Sequence, residues 1–194
     1  MSTNKPKLVL VGGGGHCESC IDVIEQENKF QIIGIIDTKK GSVLGYPILG
    51  NDSIINNDFE HDVSFFITVG QIKSPELRMK IANSLKNKNL ASIISPHAYV
   101  SKHAKIGEGT IVMHKAVVNA NAVIGNHCII NTMANVEHGV IIEDFCHVST
   151  GAMVNGQCKI ERESFIGSNA TIAQNIVVPK NSVISAGCFV KFKK

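Results

Sequence analysis

The sequence predicts a small α/β domain followed by an all-β domain that is a parallel β-helix of hexapeptide repeats. Three observations predict this combination. Isoleucine or valine recurs at every sixth position from Ile94 to Val190, strand and helix patterns alternate before that stretch, and four glycines join the first strand to the first helix. A fixed six-residue period is typical of a parallel β-helix. Alternating strands and helices are typical of a parallel sheet.

The N-terminal segments alternate between buried strands and helices. Lys7–Val11 is the first predicted strand, and a helical pattern follows the glycines. Further strands are predicted at 31–37 and 63–70, with a shorter strand-like segment between them. The clearest helix begins near Ser74, a good N-cap residue. We therefore predict a Rossmann-like parallel sheet that is only one mononucleotide-sized half of a dinucleotide fold.

The six-residue period continues without a change of phase. Its anchors are Ile94, Val100, Ile106, Val112, Val118, Ile124, Ile130, Val136, Ile142, Val148, Val154, Ile160, Ile166, Ile172, Val178, Ile184 and Val190. We expect each anchor to point to the axis of the helix, at three repeats per coil. The predicted domains are 1–92, the Rossmann-like domain, and 93–194, the β-helix.

A second position, four residues after each anchor, is mostly small. Cys128, Cys146, Cys158 and Cys188 occupy it, so we predict that these four of the six cysteines are buried core residues. The other two, Cys17 and Cys20, form a CESC motif at the start of the first helix. A redox pair is the alternative reading of that motif.

Composition and charge exclude several classes of protein. Hydrophobic residues make up 44% of the chain and charged residues 18%, as in ordinary globular proteins. A net charge of +3 is too small to indicate nucleic-acid binding. The chain has no apolar run long enough to span a membrane, and its start does not resemble a signal peptide, so we expect a cytoplasmic protein.

The glycine-rich turn GGGGHC predicts an anion-binding site. Glycines allow a phosphate to approach the backbone, and the helix N-terminus offers free N–H groups. Cys17 stands where the dinucleotide fingerprint requires a glycine, so NAD or FAD binding is not expected. Asp37 and Gly70 end the next two predicted strands, and these strand ends meet at the edge of the sheet that binds ligands.

Two of the eight histidines have distinctive positions in the repeat. One coil before and after His138 stand Ala120 and Gly156, which leave space around an imidazole, and a neutral imidazole is a natural general base near pH 7. His147 lies between apolar residues of neighbouring coils. Surface roles are expected for His61, in a polar loop, and for His97 and His103, in the first coil.

The chain resembles the NeuD/PglD-type bacterial sugar acyltransferases. The resemblance rests on G-x-x-G-H in the first domain, the S-P-H-A-x-V junction, and N-T, E-H and F-x-H-V-S in the repeat, and it covers nearly the whole chain. It implies a left-handed β-helix, a homotrimer, and acetyl-CoA as cosubstrate. It implies N-acetylation of a UDP-, dTDP- or GDP-linked 4-amino-4,6-dideoxysugar for surface glycans such as the lipopolysaccharide O-antigen. Members that O-acetylate sialic acid are the alternative.

The resemblance also assigns roles to residues of this chain. The substrate-binding positions that it implies are Gly14, Gly15, His16, Asp37, Thr38 and Gly70. His138 falls on the catalytic base, and the acetyl-CoA positions are His147, Ser168 and Ala186. Members usually carry an acidic residue directly after the catalytic histidine, whereas this chain has Gly139. Another group would then orient His138, with Glu137, Asn131 and Asp144 as candidates, unless the imidazole acts unassisted or the amine loses its proton to solvent.

A zinc enzyme of the γ-carbonic-anhydrase type is a remote alternative, because it also uses a β-helix. It would need three histidines that converge across a subunit boundary, such as His114, His138 and His147. The nucleotide-like first domain has no purpose in such an enzyme. No metal is therefore expected.

Overall fold

The computed structural model describes residues 5–56, 59 and 63–192, and these form two compact units. Unit 1 contains the residues up to Gly70 together with Glu76–Ala91. Unit 2 contains Gln71–Pro75 and the residues from Ser92 onward.

Unit 1 is a sheet with two α-helices. Its elements are β1 (Lys7–Val11), α1 (Gly15–Glu27), β2 (Gln31–Ile36), β3 (Ser42–Val43), β4 (Tyr46–Gly50), a 3-10 helix (Asp52–Asn56), β5 (Ser64–Ile67), α2 (Glu76–Ser84) and β6 (Asn89–Leu90). The strand order is β3-β4-β2-β1-β5-β6. All described pairs are parallel except β3 with β4, which form an antiparallel edge.

The predicted Rossmann-like sheet is confirmed, with two additions. The strand-like segment around Pro47 folds as the β3–β4 hairpin, and β6 is a short edge strand that the sequence did not indicate. β1 is central because its run of branched side chains is buried on both faces. Cys17 and Cys20 are completely buried in this core, and burial raises the pKa of both thiols. Since the thiolate is the reactive form, the environment disfavours a redox pair.

Unit 2 is a parallel β-helix. Its described strands, each two residues long, are β7 (Ile93–Ile94), β8 (Tyr99–Val100), β9 (Lys105–Ile106), β10 (Ile111–Val112), β11 (Val117–Val118), β12 (Val123–Ile124), β13 (Ile129–Ile130), β14 (Asn135–Val136), β15 (Ile141–Ile142), β16 (His147–Val148), β17 (Met153–Val154), β18 (Lys159–Ile160), β19 (Phe165–Ile166), β20 (Thr171–Ile172), β21 (Val177–Val178), β22 (Val183–Ile184) and β23 (Phe189–Val190). They form three sheets, two with six strands and one with five.

The register makes every coil eighteen residues long. Ile111 pairs with Ile129, and Ile129 pairs with His147. The repeat anchors of the middle coils point inward and are almost fully buried, as predicted, together with most of the small residues that follow them. Residues eighteen positions apart are therefore stacked on each other in this unit. The number of a candidate site residue thus identifies its neighbours in the coils before and after it.

One predicted core residue is not buried. Cys128, Cys146 and Cys158 lie in the core as predicted, but the prediction was wrong for Cys188, which is exposed. Cys188 belongs to the last described coil, and no further coil in residues 5–56, 59 and 63–192 stacks on that coil. A core position in a solenoid is covered only by its neighbouring coils, so the end coil loses that cover.

His97 and His103 are exposed, in agreement with their predicted surface roles, while His61 lies outside the described residues. Among the helices of the described part of the chain, none combines the length and apolar character needed to cross a membrane.

Candidate functional site

The glycine-rich turn of unit 1 leaves the N-terminus of α1 open. Gly14 is the N-cap residue, it has an extended backbone, and no side chain caps the helix there. A Cβ atom added to Gly14 or Gly15 would meet no atom within 4 Å. The first N–H groups of a helix have no intrahelical acceptor. These two glycines therefore border open space in front of the donor groups that bind anions.

Asp37 lies against this turn. Its Oδ2 accepts a hydrogen bond from the N–H of Gly13 at 2.6 Å, and its Oδ1 accepts one from the N–H of Lys39 at 2.9 Å. The Lys39 N–H, helped by that of Gly13, holds the pKa of the Asp37 carboxyl below its ordinary value. The carboxylate is thus fixed and ionised, and it can accept a further hydrogen bond from a hydroxyl or a base N–H. Thr38 is exposed beside it, with Oγ1 at 3.5 Å from Oδ1.

His16 and Gly70 meet at the same turn. A Cβ atom on Gly70 would lie 3.4 Å from the Cβ of His16, so a larger residue would crowd the imidazole. Burial, together with the positive charge of Arg78, lowers the pKa of His16 to about 4. The ring is therefore neutral at pH 7. Within the described residues, its Nε2 is buried and makes no hydrogen bond to protein.

Arg78 is a residue of this region that the sequence analysis did not single out. Its side chain is 1% exposed, and Nη1 donates to the carbonyl oxygen of Val69 at 2.5 Å and to that of Ile67 at 3.3 Å. A signal was present in the sequence, because Arg78 shares the 3.6-residue spacing of the buried residues Ile81 and Ala82 on α2. A charged residue on the apolar face of a helix indicates a specific partner for its charge.

In unit 2, His138 lies at the corner that follows β14. Its side chain is 60% exposed. The ring lies over Gly156 of the next coil, where an added Cβ would come within 2.8 Å of both Cε1 and Nε2. The structure therefore places a glycine directly against the imidazole, as the eighteen-residue spacing predicted.

Glu137 is the acidic neighbour of this imidazole. Its Oε2 lies 3.5 Å from His138 Nδ1 and accepts a hydrogen bond from Asn119 at 2.8 Å, while Asn135 donates to Oε1 at 3.3 Å. The hydrogen bond from Asn119 is the main reason why the pKa of Glu137 lies below its ordinary value. An ionised carboxylate, held by two amides, thus faces Nδ1 of His138.

The other two candidates for an orienting group have different partners. Asn131 lies 3.0 Å from Nε2 of His147, and Asp144 accepts a hydrogen bond from the N–H of Asn126 at 2.7 Å. Of the three candidate groups, Glu137 is therefore the one for which the structure records a contact with His138.

Position 139, directly after His138, is a glycine at a corner of the coil. Gly139 has a φ of +66°, and Asn121 and Gln157 also adopt a positive φ at the same corner of the neighbouring coils, so the backbone does not require a glycine there. A Cβ at this position would lie 2.5 Å from Nε2 of Gln157. An acidic side chain would therefore require the flexible end of Gln157 to move, whereas a carboxylate that precedes the histidine requires no such movement.

His147 is buried and both of its ring nitrogens have partners. Nδ1 lies 2.6 Å from the carbonyl oxygen of Gln71, and Nε2 lies 3.0 Å from the amide nitrogen of Asn131. Since a carbonyl oxygen only accepts, Nδ1 carries the proton and Nε2 accepts from the Asn131 amide. The Phe165 ring packs edge-on at 5.2 Å. In this structure His147 therefore anchors the segment that contains Gln71.

Ser168 and Ala186 occupy the same corner of successive coils. The Oγ atoms of Ser168 and Ser149 are 3.0 Å apart, and the N–H of Gly187 donates to the carbonyl oxygen of Ser168 at 2.9 Å. Ala186 is exposed. The two residues form an accessible edge, and it contains neither His138 nor His147.

No three histidine, cysteine, aspartate or glutamate side chains gather into a metal-binding group in residues 5–56, 59 and 63–192.

The contact between Gly156 and His138 predicts a specific defect for Gly156→Ala. The added methyl group must push the exposed imidazole aside, so an activity that depends on His138 should fall about tenfold or more, with little change in thermal stability. Steady-state kinetics and a thermal melt would measure both effects. In a His138→Ala background the same substitution should cost no further activity, because the group that it displaces is already absent. Additive losses in the double variant would contradict this explanation.

Two family models match the chain. The model described as PglD N-terminal domain matches residues 7–85, and the model described as hexapeptide repeat of succinyl-transferase matches residues 157–191. An uncharacterised protein of Acanthamoeba polyphaga mimivirus is 33% identical over 107 residues. That match spans 54% of this chain and 21% of the mimivirus protein, so the chain corresponds to about a fifth of the length of this relative.

Solved structures match nearly the whole chain. The acetyltransferase domain of PglB from Neisseria gonorrhoeae is 30% identical with a TM-score of 0.88, over 96% of this chain and 94% of that one. The same domain in complex with acetyl coenzyme A gives 30% identity and a TM-score of 0.89, over 96% and 93%. A mutant of perosamine N-acetyltransferase from Caulobacter crescentus, in complex with CoA and GDP-perosamine, gives 27% identity and a TM-score of 0.88, over 95% and 88%.

Proposed function

Because the chain belongs to the PglD-type family of hexapeptide-repeat sugar acetyltransferases, we propose that it acetylates the amino group of a nucleotide-linked 4-amino-4,6-dideoxysugar. The protein is an acyltransferase, and acetyl-CoA is its cosubstrate. The proposal adds the acceptor, which is a sugar linked to UDP, dTDP or GDP. The GDP-perosamine complex of the Caulobacter crescentus relative supports an acceptor of this class.

His138 is the observation that carries the proposal. It combines an exposed imidazole, a glycine beneath the ring and an ionised carboxylate at 3.5 Å from Nδ1. A carboxylate beside Nδ1 favours the tautomer that carries its proton on Nδ1, which leaves Nε2 as the acceptor. Nε2 of this exposed ring is then a general base that the substrate can reach.

In the proposed reaction His138 first accepts a proton and then returns it. The sugar amine attacks the thioester carbonyl carbon of acetyl-CoA, a C–N bond forms, and Nε2 of His138 takes the proton that the amine loses. The C–S bond then breaks, and the imidazolium returns the proton to the departing thiolate to give CoA. Glu137 stabilises the imidazolium between these two transfers. Backbone N–H groups of a coil would stabilise the developing oxyanion.

The glycine-rich turn is proposed to bind the nucleotide. Gly14 and Gly15 leave the N-terminus of α1 open for the diphosphate, which is an anion of the kind that helix N-termini bind. The fixed carboxylate of Asp37 would accept hydrogen bonds from the ribose or the base, with Thr38 beside it. His16 would contact the nucleotide as a neutral ring, and Gly70 keeps the space that this ring needs. These roles assign nucleotide-sugar binding to residues 1–92 and acetyl transfer to 93–194.

Ser168, Ala186 and His147 are the proposed acetyl-CoA positions. The edge formed by Ser168 and Ala186 offers a hydroxyl group and exposed backbone, which suit the amides of pantetheine. His147 would act indirectly, by holding the segment that contains Gln71, since both of its ring nitrogens already have partners.

A homotrimer is part of the proposal. Outward-facing apolar side chains are exposed on two sheets of the β-helix. On one sheet these are Tyr99, Met153 and Phe189, and on another they are Val123, Ile141 and Val177. Rows of this kind indicate a surface that is covered by a protein partner. Light scattering coupled to size-exclusion chromatography would measure the mass.

A thiol-release assay tests the function. With acetyl-CoA and a panel of UDP-, dTDP- and GDP-linked 4-amino sugars, we expect CoA release with at least one member and none with the matching 4-hydroxy sugars. Calorimetry with UDP, dTDP and GDP would identify the base. If no nucleotide binds and free sialic acid is acetylated instead, the O-acetylation alternative replaces this proposal.

A further inference from the structure

Arg78 links the buried interior of unit 1 to the glycine-rich turn through a chain of direct contacts. Its guanidinium donates to the carbonyl oxygen of Val69. The Val69 side chain packs on Gly12 so closely that a Cβ at Gly12 would lie 2.4 Å from Val69 Cγ2. Thr68 adds a second tie, because its Oγ1 donates to the carbonyl oxygen of Gly12 at 2.5 Å. The guanidinium therefore supports the end of β5 on which the turn rests.

The same side chain brings a permanent positive charge to this region. An arginine stays protonated at every physiological pH. At 1% exposure, its charge is screened by salt much less than the charge of a surface lysine. The field of Arg78 reaches the first turn of α1, since it contributes to the lowered pKa of His16. A positive charge there acts in the same direction as the dipole of α1, whose N-terminus also favours anions.

We infer that Arg78 is a positioning residue of the nucleotide site, and that its buried charge makes the glycine-rich turn prefer a nucleoside diphosphate to the uncharged nucleoside. The inference rests on the proposed function, because it concerns the same nucleotide site. It assigns the selection of phosphate charge to a buried residue whose guanidinium donates to the backbone carbonyl oxygens of Ile67 and Val69. A purely structural role for Arg78 would affect charged and uncharged ligands equally.

Two substitutions distinguish the effect of the Arg78 charge from the effect of its hydrogen bonds to the carbonyl oxygens. Arg78→Lys keeps the positive charge, and Arg78→Gln keeps a donor group for the carbonyl oxygens but removes the charge. Affinities of each variant for UDP, dTDP and GDP, and for the corresponding nucleosides, are measured by calorimetry, with competition for weak ligands. Arg162→Gln makes the same chemical change at an exposed arginine of unit 2 and serves as the matched control.

We expect Arg78→Gln to lose about tenfold in affinity for the nucleoside diphosphate while its affinity for the nucleoside stays within about threefold of the wild type. Arg78→Lys and Arg162→Gln should stay within about threefold for both ligands. In kinetics, Arg78→Gln should raise KM for the nucleotide sugar and leave both kcat at saturation and KM for acetyl-CoA unchanged.

An equal loss for diphosphate and nucleoside in Arg78→Gln would overturn the inference, and so would unchanged diphosphate binding in that variant. If Arg78→Gln does not fold, a loss of about tenfold or more in the diphosphate affinity of a folded Arg78→Lys would overturn it as well. A wild-type protein that binds none of the three diphosphates would refute the proposed nucleotide site itself, which is a different result from a defect confined to the Arg78 variants.

Discussion

Replacing His138 with alanine is expected to lower kcat by about 10²–10⁴-fold, the usual contribution of a general base. The thermal midpoint and the oligomeric mass should not change, because the ring is 60% exposed and leaves no buried cavity. KM for both substrates should change little, since the imidazole acts on the proton that is lost as the C–N bond forms. Thiol-release kinetics with a saturating nucleotide sugar would measure the effect.

Two controls make this result specific to the site. His103→Ala removes another exposed histidine, from the first coil, and should retain full activity. The space over Gly156 that the missing ring leaves is open to solvent, so added imidazole should restore part of the activity of His138→Ala. Wild-type turnover in His138→Ala would refute the assignment of the base. It would leave the loss of the amine proton to solvent as the remaining explanation of catalysis.

The period of six explains how much of the β-helix site could be predicted from sequence. Eighteen residues separate stacked neighbours, so the glycine beneath His138 could be identified at Gly156 without a structure. The same rule places Asn119 next to Glu137, and the structure confirms their contact at 2.8 Å. The sequence analysis left Glu137 as one of three candidates, because the repeat predicts which residues stack on each other but not where their side chains point.

Contacts and burial that do not follow from the six-residue repeat could not be predicted in the same way. The contact between His147 and the carbonyl oxygen of Gln71 joins residues 76 positions apart, and no repeat relates those two segments. Cys188 occupies the small position of the repeat and is still exposed. Its burial would require a further coil stacked on it, and the repeat pattern alone does not show where coverage by another coil is missing. In unit 1 the hydrophobic spacing is consistent with a buried Arg78, but only the fold showed that its guanidinium donates to the carbonyl oxygens of Ile67 and Val69, at and just after the end of β5.

The glycine-rich turn yields the second prediction with a large expected effect, in which stability and binding change in opposite directions. Gly14 is an N-cap residue with φ −85° and ψ −176°, which other residues can adopt, and a Cβ added there lies in open space. Gly14→Asp should therefore stabilise unit 1 by about 0.5–1 kcal/mol, since aspartate caps a helix better than glycine and suits its dipole. A thermal melt would detect the rise in midpoint.

The same carboxylate should strongly weaken nucleotide binding. It would occupy the N–H groups that the diphosphate needs, and it would repel the phosphates by about 4 kcal/mol at contact distance for an effective dielectric constant near 20. We expect KM for the nucleotide sugar to rise at least about 100-fold, with KM for acetyl-CoA unchanged. Gly14→Asn is the matched control, because asparagine caps the helix with a similar shape but without charge, and it should lose much less affinity. If Gly14→Asp binds the nucleotide sugar as tightly as Gly14→Asn does, the diphosphate does not bind at the N-terminus of α1.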